Sequence, residues 1–409
     1  MNRGIWRRST RAAFLSVGER NFRLFVLGQL VSAAGMWIQR AAELWLVLSL
    51  TGDPVAVGIV TALGFGPVLF LGPWAGLIAD RSDRRQLLFV TQSLRAIPPL
   101  ALGLLVVMDQ ASLGAIYALT LASGIATAFD NPTRRSFLQE MVGRDRATNA
   151  VGLNASVMTS ARVVGPLIAG VVITSVGIGW CFIINGLTYL ALILALVRMR
   201  PDELYRRPLV ERAPGQVREG FRYAASNAAV RWSLLLLLVV GTLSWSSVEV
   251  MIPLIVRLVL DGEVTSYTVV FALFGAGAVL GSLIVASRSQ VTLKQVAITL
   301  AGLGLALVAS AASPNLWWAV IAFGGVGLAG AAFVTAQNAQ VIHMTTDRFQ
   351  GRILALVSSI QLGARSIGAL AIGGMAAVAG PRVAVAVGGV ISLIGAAVAF
   401  AGPSQPLEN

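Results

Sequence analysis

Charged residues are scarce in this sequence of 409 residues, since Asp, Glu, Lys and Arg make up 12% and hydrophobic residues 56%. That balance excludes a soluble domain of this size and indicates a polytopic membrane protein. One cysteine, Cys181, excludes an intrachain disulfide framework, and one histidine, His343, leaves no metal cluster or Cys/His or Ser/His catalytic arrangement. A Gly-x-x-x-x-Gly-Lys-Ser/Thr loop is also lacking, which argues against ATP-driven work. We therefore expect no enzyme activity, no metal and no cofactor.

Twelve apolar runs are each long enough to cross a bilayer as a helix, and they predict an all-α membrane protein with twelve transmembrane helices. The runs are Leu24–Leu50, Val55–Ala79, Leu87–Met108, Leu113–Phe129, Asn149–Ser175, Trp180–Val197, Trp232–Leu260, Thr265–Ser287, Lys294–Ala312, Leu316–Ala339, Arg352–Ala379 and Val383–Ala401. A polar connector with three prolines and eight arginines divides them into two six-helix bundles. The predicted domains are a cytoplasmic lead-in at 1–23, bundles at 24–197 and 232–401, a linker at 198–231 and a tail at 402–409.

Basic residues are distributed very unevenly between the two sides of these helices. With the N-terminus inside, 25 of the 31 basic residues fall in segments predicted to be cytoplasmic, and only Arg257 and Arg382 fall in outer loops. Short cytoplasmic loops are enriched in Lys and Arg, so this split predicts that both termini are cytoplasmic. The formal charge of +13 therefore reflects membrane orientation, and we expect no nucleic-acid partner.

A charged turn joins the second and third runs, and its three arginines and two aspartates require water on the cytoplasmic side. The segment resembles the loop between the second and third helices of the major facilitator superfamily, written Gly-x-x-x-Asp-Arg-x-Gly-Arg-Arg. The matching residues are Gly76, Asp80, Arg81, Arg84 and Arg85. Asp83 replaces the usual glycine, so the resemblance does not determine the geometry of the turn. The resemblance implies that these residues latch the cytoplasmic side in the outward-open state. It also implies a central cavity lined by helices 1, 4, 7 and 10.

The fifth and eleventh runs carry the same motif, Ala-Arg-x-x-Gly-x-Leu-x-x-Gly, at an offset of 203 residues. A repeat of this kind indicates that the two six-helix halves are related. The motif residues are Arg162, Gly165, Pro166 and Gly170 in the fifth run and Arg365 and Gly368 in the eleventh. Gly and Pro open the helix backbone, and small residues let a neighbouring helix pack closely. A glycine helix that is simply well packed is the alternative interpretation.

The fifth-run motif and the preceding segment Phe129–Leu138 resemble a bacterial exporter group of this superfamily, which includes the enterobactin exporter and macrolide efflux proteins. The resemblance implies a secondary active transporter of the bacterial inner membrane. It would export small amphipathic molecules, such as drugs or a secreted siderophore, by proton antiport. Small-molecule substrates, protons and membrane lipid are the implied partners, and the implied state is a monomer. A proton-coupled symporter or a lipid or lysophospholipid transporter on the same fold stays an alternative, and a non-transporting receptor is disfavoured.

Three acidic residues in the spans are candidates for proton coupling, because a charge in the bilayer is costly and usually faces a partner or a wet cavity. Glu249 ranks first, since it lies near mid-helix with no basic neighbour within one turn in sequence. Glu43 ranks second, because Arg40 lies three residues earlier on the same helix face and can neutralise it. Asp130 ranks third, at the inner end of the fourth run. A fixed hydrogen bond across the bundle is the alternative role for Glu249.

Polar and aromatic residues on the runs expected to line the cavity are candidates for substrate binding. They are Gln29, Gln39 and Arg40 on the first run, Ser244, Trp245, Ser246 and Ser247 on the seventh, and Gln337 and Asn338 on the tenth. Apolar walls with scattered polar and aromatic groups suit bulky amphipathic ligands better than sugars. Each aromatic residue alone can equally well face lipid.

Overall fold

The apolar runs form twelve long helical segments in the computed structural model, which describes residues 15–143, 145–205, 216–245, 248–288 and 291–401. The segments are α1 (Arg20–Thr51), α2 (Pro54–Arg81), α3 (Arg84–Val107), α4 (Leu113–Val142), α5 (Ala147–Ser175), α6 (Gly179–Arg198), α7 (Ala228–Val240, continued after a π-helical turn at Gly241–Trp245 by Val248–Leu258), α8 (Val264–Ala286), α9 (Leu293–Ala311), α10 (Leu316–His343), α11 (Asp347–Ala379) and α12 (Pro381–Ala401). Lipid offers the backbone no hydrogen-bond partner, so long apolar runs satisfy their own backbone groups as helices. The predicted all-α fold with twelve helices is confirmed.

Within those residues, eleven helices are long and apolar enough to cross a membrane, judged by length and composition. The exception is α1, whose 32 residues extend roughly 48 Å at about 1.5 Å per residue, so length is not the reason. Polar residues such as Gln29, Gln39 and Arg40 lower its hydropathy instead. Polar groups on a spanning helix are costly and tend to be functional. Helix α1 is therefore a helix whose polar side chains need partners.

Helix α4 is longer than the sequence predicts, because it continues past the expected end at Phe129 to Val142. Arginine usually flanks a membrane helix, and Arg134 and Arg135 follow the predicted end closely, which is why the prediction stopped too early. In the structure Pro132 lies inside the helix, and Arg134 forms an ion pair with Asp130 one turn earlier. This pairing balances charge within α4 and lets the helix continue.

The chain divides into two compact units. The first contains Met1–Ala42 and Pro67–Glu211, and the second contains Glu43–Gly66 and Arg212–Asn409. Helices α1 and α2 therefore contribute one part to each unit. The domain boundaries that the sequence suggests, with a linker at 198–231, stay a prediction.

An apolar core in the first unit brings together the start of α1, the start of α3 and the end of α4. Phe25 and Phe137 meet edge to face, with ring centroids 6.3 Å apart. Phe22 and Leu88 are fully buried beside them. Between membrane helices such contacts stabilise mainly through van der Waals packing, because lipid tails are as apolar as these side chains. This core fixes the start of α3, directly after the charged turn between α2 and α3.

The predicted linker contains a short helix, Gln216–Ser226, that packs on α11. Arg352 forms an ion pair with Glu219 at 2.6 Å, and the ring of Tyr223 stacks on Phe349 with centroids 4.4 Å apart. These contacts attach this part of the linker to the second unit. The sequence predictions that fall outside the described residues concern 1–14 of the lead-in, 206–215 of the linker, the cavity candidates Ser246 and Ser247, and the tail at 402–409.

Helices α8 and α10 of the second unit approach each other backbone to backbone. A Cβ atom at Gly281 would overlap the carbonyl oxygen of Leu328, and one at Gly327 would overlap that of Phe274. Small residues allow membrane helices to approach this closely, and glycine allows the closest approach. These glycines therefore set the distance between the two helices.

Cys181 is fully buried near the start of α6. Its Sγ atom lies 3.9 Å from the carbonyl oxygen of Ala169 on α5. A buried free cysteine behaves as a small apolar side chain. Cys181 therefore serves the packing of α6 against α5.

Candidate functional site

A buried carboxylate, Asp130 on α4, is the centre of a polar cluster in the first unit. Its Oδ2 atom accepts hydrogen bonds from Arg95 on α3, at 3.0 Å, and from Arg134. Its Oδ1 atom accepts from the hydroxyl of Thr91, at 3.2 Å, and from the amide of Gln92. Four donors fill the roughly four acceptor positions of an ionised carboxylate. Asp130 is thus a fully bonded counter-ion between two guanidinium groups.

The cluster extends from Asp130 to three further helices. Arg134 donates to Oε1 of Gln29 on α1, and the amide nitrogen of Gln29 lies 3.2 Å from Sδ of Met158 on α5. On the other side, the guanidinium of Arg95 lies 5.1 Å from the ring centroid of Tyr189 on α6. Gln29, a predicted cavity residue, is therefore part of this cluster and is buried in it.

The charged turn between α2 and α3 is fixed inside the first unit. Asp83, which replaces the superfamily's glycine, caps α3 by accepting a hydrogen bond at 3.0 Å from the backbone N–H three residues later. Arg84 pairs with Glu140 near the end of α4, and Nε of Arg85 donates to the carbonyl oxygen of Leu196 at 2.8 Å. The cap explains how the turn tolerates an aspartate, and the arginines connect it to α4 and α6.

The other predicted latch residues lie on the last two turns of α2. Gly76 and Asp80 are half-buried, and Arg81 is exposed. A Cβ atom at Gly76 would meet no atom within 4 Å, so packing in this structure does not require glycine there. The latching role of these residues stays a prediction.

The repeated motif places each of its arginines over an aromatic ring. Arg162 lies 4.7 Å from the ring centroid of Trp37, and Arg365 lies 4.9 Å from that of Phe65. Such cation–π contacts contribute about 0.5–2 kcal/mol. A Cβ atom at Gly165 would overlap Trp37, so α5 and α1 are in close contact at the motif. The remaining motif residues, Pro166, Gly170 and Gly368, are buried.

In the second unit the structure brings Glu249 of α7 to Arg365 of α11, with Oε1 and NH1 3.8 Å apart. Glu249 is only 6% exposed. At this distance the two charges attract each other without forming a hydrogen bond to one another. Glu43 is buried as well, at 5% exposure, on the part of α1 that belongs to the second unit. Arg40, one turn earlier on the same helix, is half-buried.

A π-helical turn, Gly241–Trp245, interrupts α7 shortly before its second half. Turns of this kind are rare and often occur at functional sites. Trp245 packs on Gly330 of α10, where a Cβ atom would overlap the indole ring. Ser244, which the sequence suggested as a cavity residue, instead donates to the carbonyl oxygen of Gly388 on α12 at 2.7 Å and is fully buried.

Aromatic rings form a continuous column from Trp245 along α8 to α1, within the second unit. The centroid distances are 5.5 Å from Trp245 to Phe274, 6.2 Å from Phe274 to Phe271, 5.8 Å from Phe271 to Tyr267 and 5.1 Å from Tyr267 to Trp45. The guanidinium of Arg257 lies 5.6 Å from the ring of Trp45. Spacings of four and three residues place the three α8 rings on one helix face.

The remaining predicted cavity residues each bond to a neighbouring helix of their own unit. Gln337 donates to the carbonyl oxygen of Ser233 at 2.8 Å, Asn338 accepts from Gln361 at 3.3 Å, and Gln39 accepts from Asn185. An apolar groove of about 390 Å³ also opens in the first unit, between α1, α5 and α6. Its lining includes Leu30, Val164 and Thr188.

The sequence analysis did not assign Arg134 or Glu140 to a site, although the structure places both in ion pairs. The spacing of four between Asp130 and Arg134 is a signal that could have found the first pair, because it puts both residues on one helix face. It was missed because α4 was expected to end at Phe129. The aromatic column depends on contacts between helices that no local pattern indicates.

Twelve long helices, eleven of them apolar enough to span a membrane within the described residues, with arginine–carboxylate pairs buried between them, define a multi-pass membrane protein. Residues 11–408 match the transmembrane secretion effector family. The chain belongs to this family, whose members are major facilitator transporters and not enzymes. The resemblance to the superfamily that the charged turn indicates is confirmed.

Several bacterial proteins are similar to this chain. The staphyloferrin A transporter of Staphylococcus aureus (strain NCTC 8325 / PS 47) is 29% identical over 161 residues, which cover 39% of this chain and 41% of that transporter. The chain thus matches less than half the length of that relative. Macrolide efflux protein A of Streptococcus pyogenes is 21% identical over 287 residues, 68% of this chain and 70% of that protein.

Solved structures of transporters share the fold. A bacterial homolog of the human lysosomal transporter Spinster, in an inward-facing and occupied conformation, superposes with a TM-score of 0.73. The superposition covers 94% of this chain and 96% of that one, at 16% sequence identity. At so low an identity the likeness concerns the fold alone.

Proposed function

We propose that this protein is a secondary active transporter that exports small amphipathic molecules, such as drugs or a secreted metabolite of the siderophore type, by proton antiport. Its relatives include the staphyloferrin A transporter and a macrolide efflux protein, and a multidrug efflux pump, Tap of Mycolicibacterium fortuitum, is 27% identical over 220 residues. The observation that carries the antiport part is the buried pair of Glu249 and Arg365 beside the π-helical turn.

The three carboxylate candidates differ in their surroundings. Asp130 accepts four hydrogen bonds, two of them from guanidinium groups, so adding a proton to it would break favourable contacts. Glu249 is buried near mid-helix, with its Oε1 atom 3.8 Å from NH1 of Arg365. A charge at that depth in a membrane helix is costly, so Glu249 remains the leading candidate for proton coupling, with Glu43 second and Asp130 third. A proton on Glu249 would release Arg365 from electrostatic attraction, which can bias a two-state helix arrangement.

Export is tested by expressing the chain in a pump-deficient bacterial strain and measuring the accumulation of fluorescent dyes and antibiotics. We expect lower accumulation than in cells with an empty vector, and we expect an uncoupler of the proton gradient to remove the difference. Higher accumulation would favour a proton symporter. Unchanged accumulation of every compound, with the protein present in the membrane, would reject the export proposal.

We also propose that the protein works as a monomer in the bacterial inner membrane, with both termini in the cytoplasm. The charge asymmetry of the sequence supports this orientation. Reporter fusions after Arg231 and after Asn409 should both give a cytoplasmic signal, because an even number of spans separates each from the N-terminus. An external signal at either point would contradict the topology. Light scattering of the purified protein at the mass of a dimer would contradict the monomer.

The charged turn is proposed to act as a cytoplasmic latch, with Asp80 as the residue that engages and releases. Arg84 and Arg85 hold the start of α3 to α4 and α6, and Asp80 lies on the other side of the turn, at the end of α2. Asp80→Asn should therefore cut transport while leaving the amount of folded protein in the membrane unchanged. Crosslinking between cytoplasmic loops reports the latch directly. A crosslinking pattern identical to that of the unaltered protein would show that Asp80 has no latching role.

The cavity assignment is likewise a proposal. Gln39, Arg40, Trp245, Gln337 and Asn338 would contribute polar and aromatic groups to substrate binding. Trp245 is the candidate best placed to contact a substrate. The π-helical turn and Gly330 fix its ring, and part of its surface stays accessible. Loss of its aromatic ring in Trp245→Ala should weaken binding of exported compounds in a direct binding assay, and unchanged affinity would remove it from the site.

A further inference from the structure

The polar cluster around Asp130 carries more positive than negative charge. Two guanidinium groups, those of Arg95 and Arg134, contact a single carboxylate. The other two side chains that bond to the carboxylate, Thr91 and Gln92, are neutral. The single negative charge of the carboxylate is shared between both guanidinium groups and neutralises only one of their two positive charges. These groups together carry one positive charge in excess.

The excess charge is best accessible at Arg134. Its NH1 group bonds to the neutral amide oxygen of Gln29, and its Nε atom is buried with no hydrogen-bond partner among the residues that the structure describes. About one eighth of its side chain stays accessible, at 13% exposure. Arg95 is less accessible, at 9%, and the ring of Tyr189 lies beside its guanidinium. An incoming ligand would therefore meet Arg134 first.

A buried cluster with a net positive charge is unfavourable, and ionisable groups within membrane helices usually have a function. An oxyanion would supply the missing charge, and its oxygens match the planar donors of a guanidinium. We propose that Arg134 binds the anionic group of the transported molecule, which is a carboxylate- or phosphate-bearing amphiphile. This inference rests on the proposed export function, because it names the substrate class of that transporter.

The test measures binding to the purified protein with three probes of equal chain length and different charge: octanoate, octanamide and octylammonium. Each is titrated in a nonionic detergent while the thermal unfolding midpoint is followed. Octanoate should raise the midpoint at a concentration at least about tenfold lower than octanamide, since a hydrogen-bonded charge contributes about 1.5–3 kcal/mol. Octylammonium should bind most weakly. Equal binding of octanoate and octanamide would overturn the proposal.

Three variants test whether the preference for octanoate depends on Arg134. Arg134→Gln should lose the preference for octanoate, and it should still fold because Arg95 continues to balance Asp130. Arg134→Lys keeps the charge without the planar donors and should keep part of the preference. Arg135→Gln is the matched control, since Arg135 is the adjacent arginine on the same helix and is exposed. It should behave like the unaltered protein. If Arg134→Gln keeps the full preference for octanoate over octanamide, the anion binds elsewhere and the assignment to Arg134 fails.

A lipid headgroup carries the same kind of anionic group as the proposed substrate. Short-chain phosphatidylglycerol is therefore titrated as well, to distinguish the two ligands. If it binds more tightly than octanoate and only when Arg134 is present, the site belongs to lipid and the substrate assignment fails. If octanoate keeps its preference in the presence of this lipid, the assignment stands. Binding is measured on purified protein, so an absence of efflux in cells would reject export without removing the anion site.

Discussion

Glu249→Gln should abolish efflux against a gradient while substrate binding and downhill exchange persist. Glutamine has nearly the shape of a protonated glutamate but cannot release a proton, so the transport cycle loses its link to the proton gradient. A charged side chain at the centre of a membrane helix costs roughly 2.5–3.5 kcal/mol, which is the barrier that protonation of Glu249 would lower. Uphill, uncoupler-sensitive efflux should therefore fall at least about tenfold. Efflux from preloaded proteoliposomes measures uphill transport when a pH gradient is imposed and downhill exchange when it is not.

Glu263→Gln is the control for this variant, because Glu263 is an exposed acidic residue of the same unit at the start of α8. It should transport normally. If Glu249→Gln pumps uphill at the normal rate with unchanged pH dependence, Glu249 does not couple protons. The same measurement is then made on Glu43→Gln, since Glu43 is the second buried carboxylate of the second unit.

Gly281→Leu should prevent the second unit from folding. The first side-chain atom already overlaps the carbonyl oxygen of Leu328, and backbone atoms cannot rotate away as a flexible side chain can. Extra atoms in a packed interior usually cost about 1–3 kcal/mol, and a clash with backbone belongs at the upper end of that range or above it. We expect the yield of monodisperse protein after detergent extraction to fall about tenfold or more.

Gly374→Ala on α11 is the matched control for the glycine substitution. A Cβ atom there would meet no atom within 4 Å, and alanine favours a helix over glycine by about 1 kcal/mol. Its yield and thermal midpoint should equal or exceed those of the unaltered protein. A normal yield for Gly281→Leu would mean that α8 and α10 are able to separate without loss of the fold.

The twelve helices could be predicted from the sequence because lipid leaves an apolar run of this length few alternatives. The one clear error, the end of α4, has a local physical cause. Arg134 signals a boundary when it is considered alone, but Asp130 lies one turn earlier and pairs with the arginine. Charge balance within one helix therefore needs to be considered before a basic residue is assigned to a loop.

The contacts of the candidate site were much less predictable than its residues. The repeat suggested Arg162 and Arg365 as a related pair, and both lie over aromatic rings. Neither Trp37 nor Phe65 could be assigned as the partner, because these contacts join helices far apart in sequence. The same holds for Glu249, whose interaction with Arg365 is formed only when α7 and α11 pack together.

The burial of Cys181 has a practical consequence for measuring motion in this transporter. Because the sequence contains no other cysteine and this sulfur atom is fully buried, soluble thiol reagents have no accessible target on the folded protein. A single introduced cysteine would therefore carry a spin label or a dye at one defined position. Pairs of such labels can report distances through a transport cycle in a chain that keeps its native packing between α5 and α6.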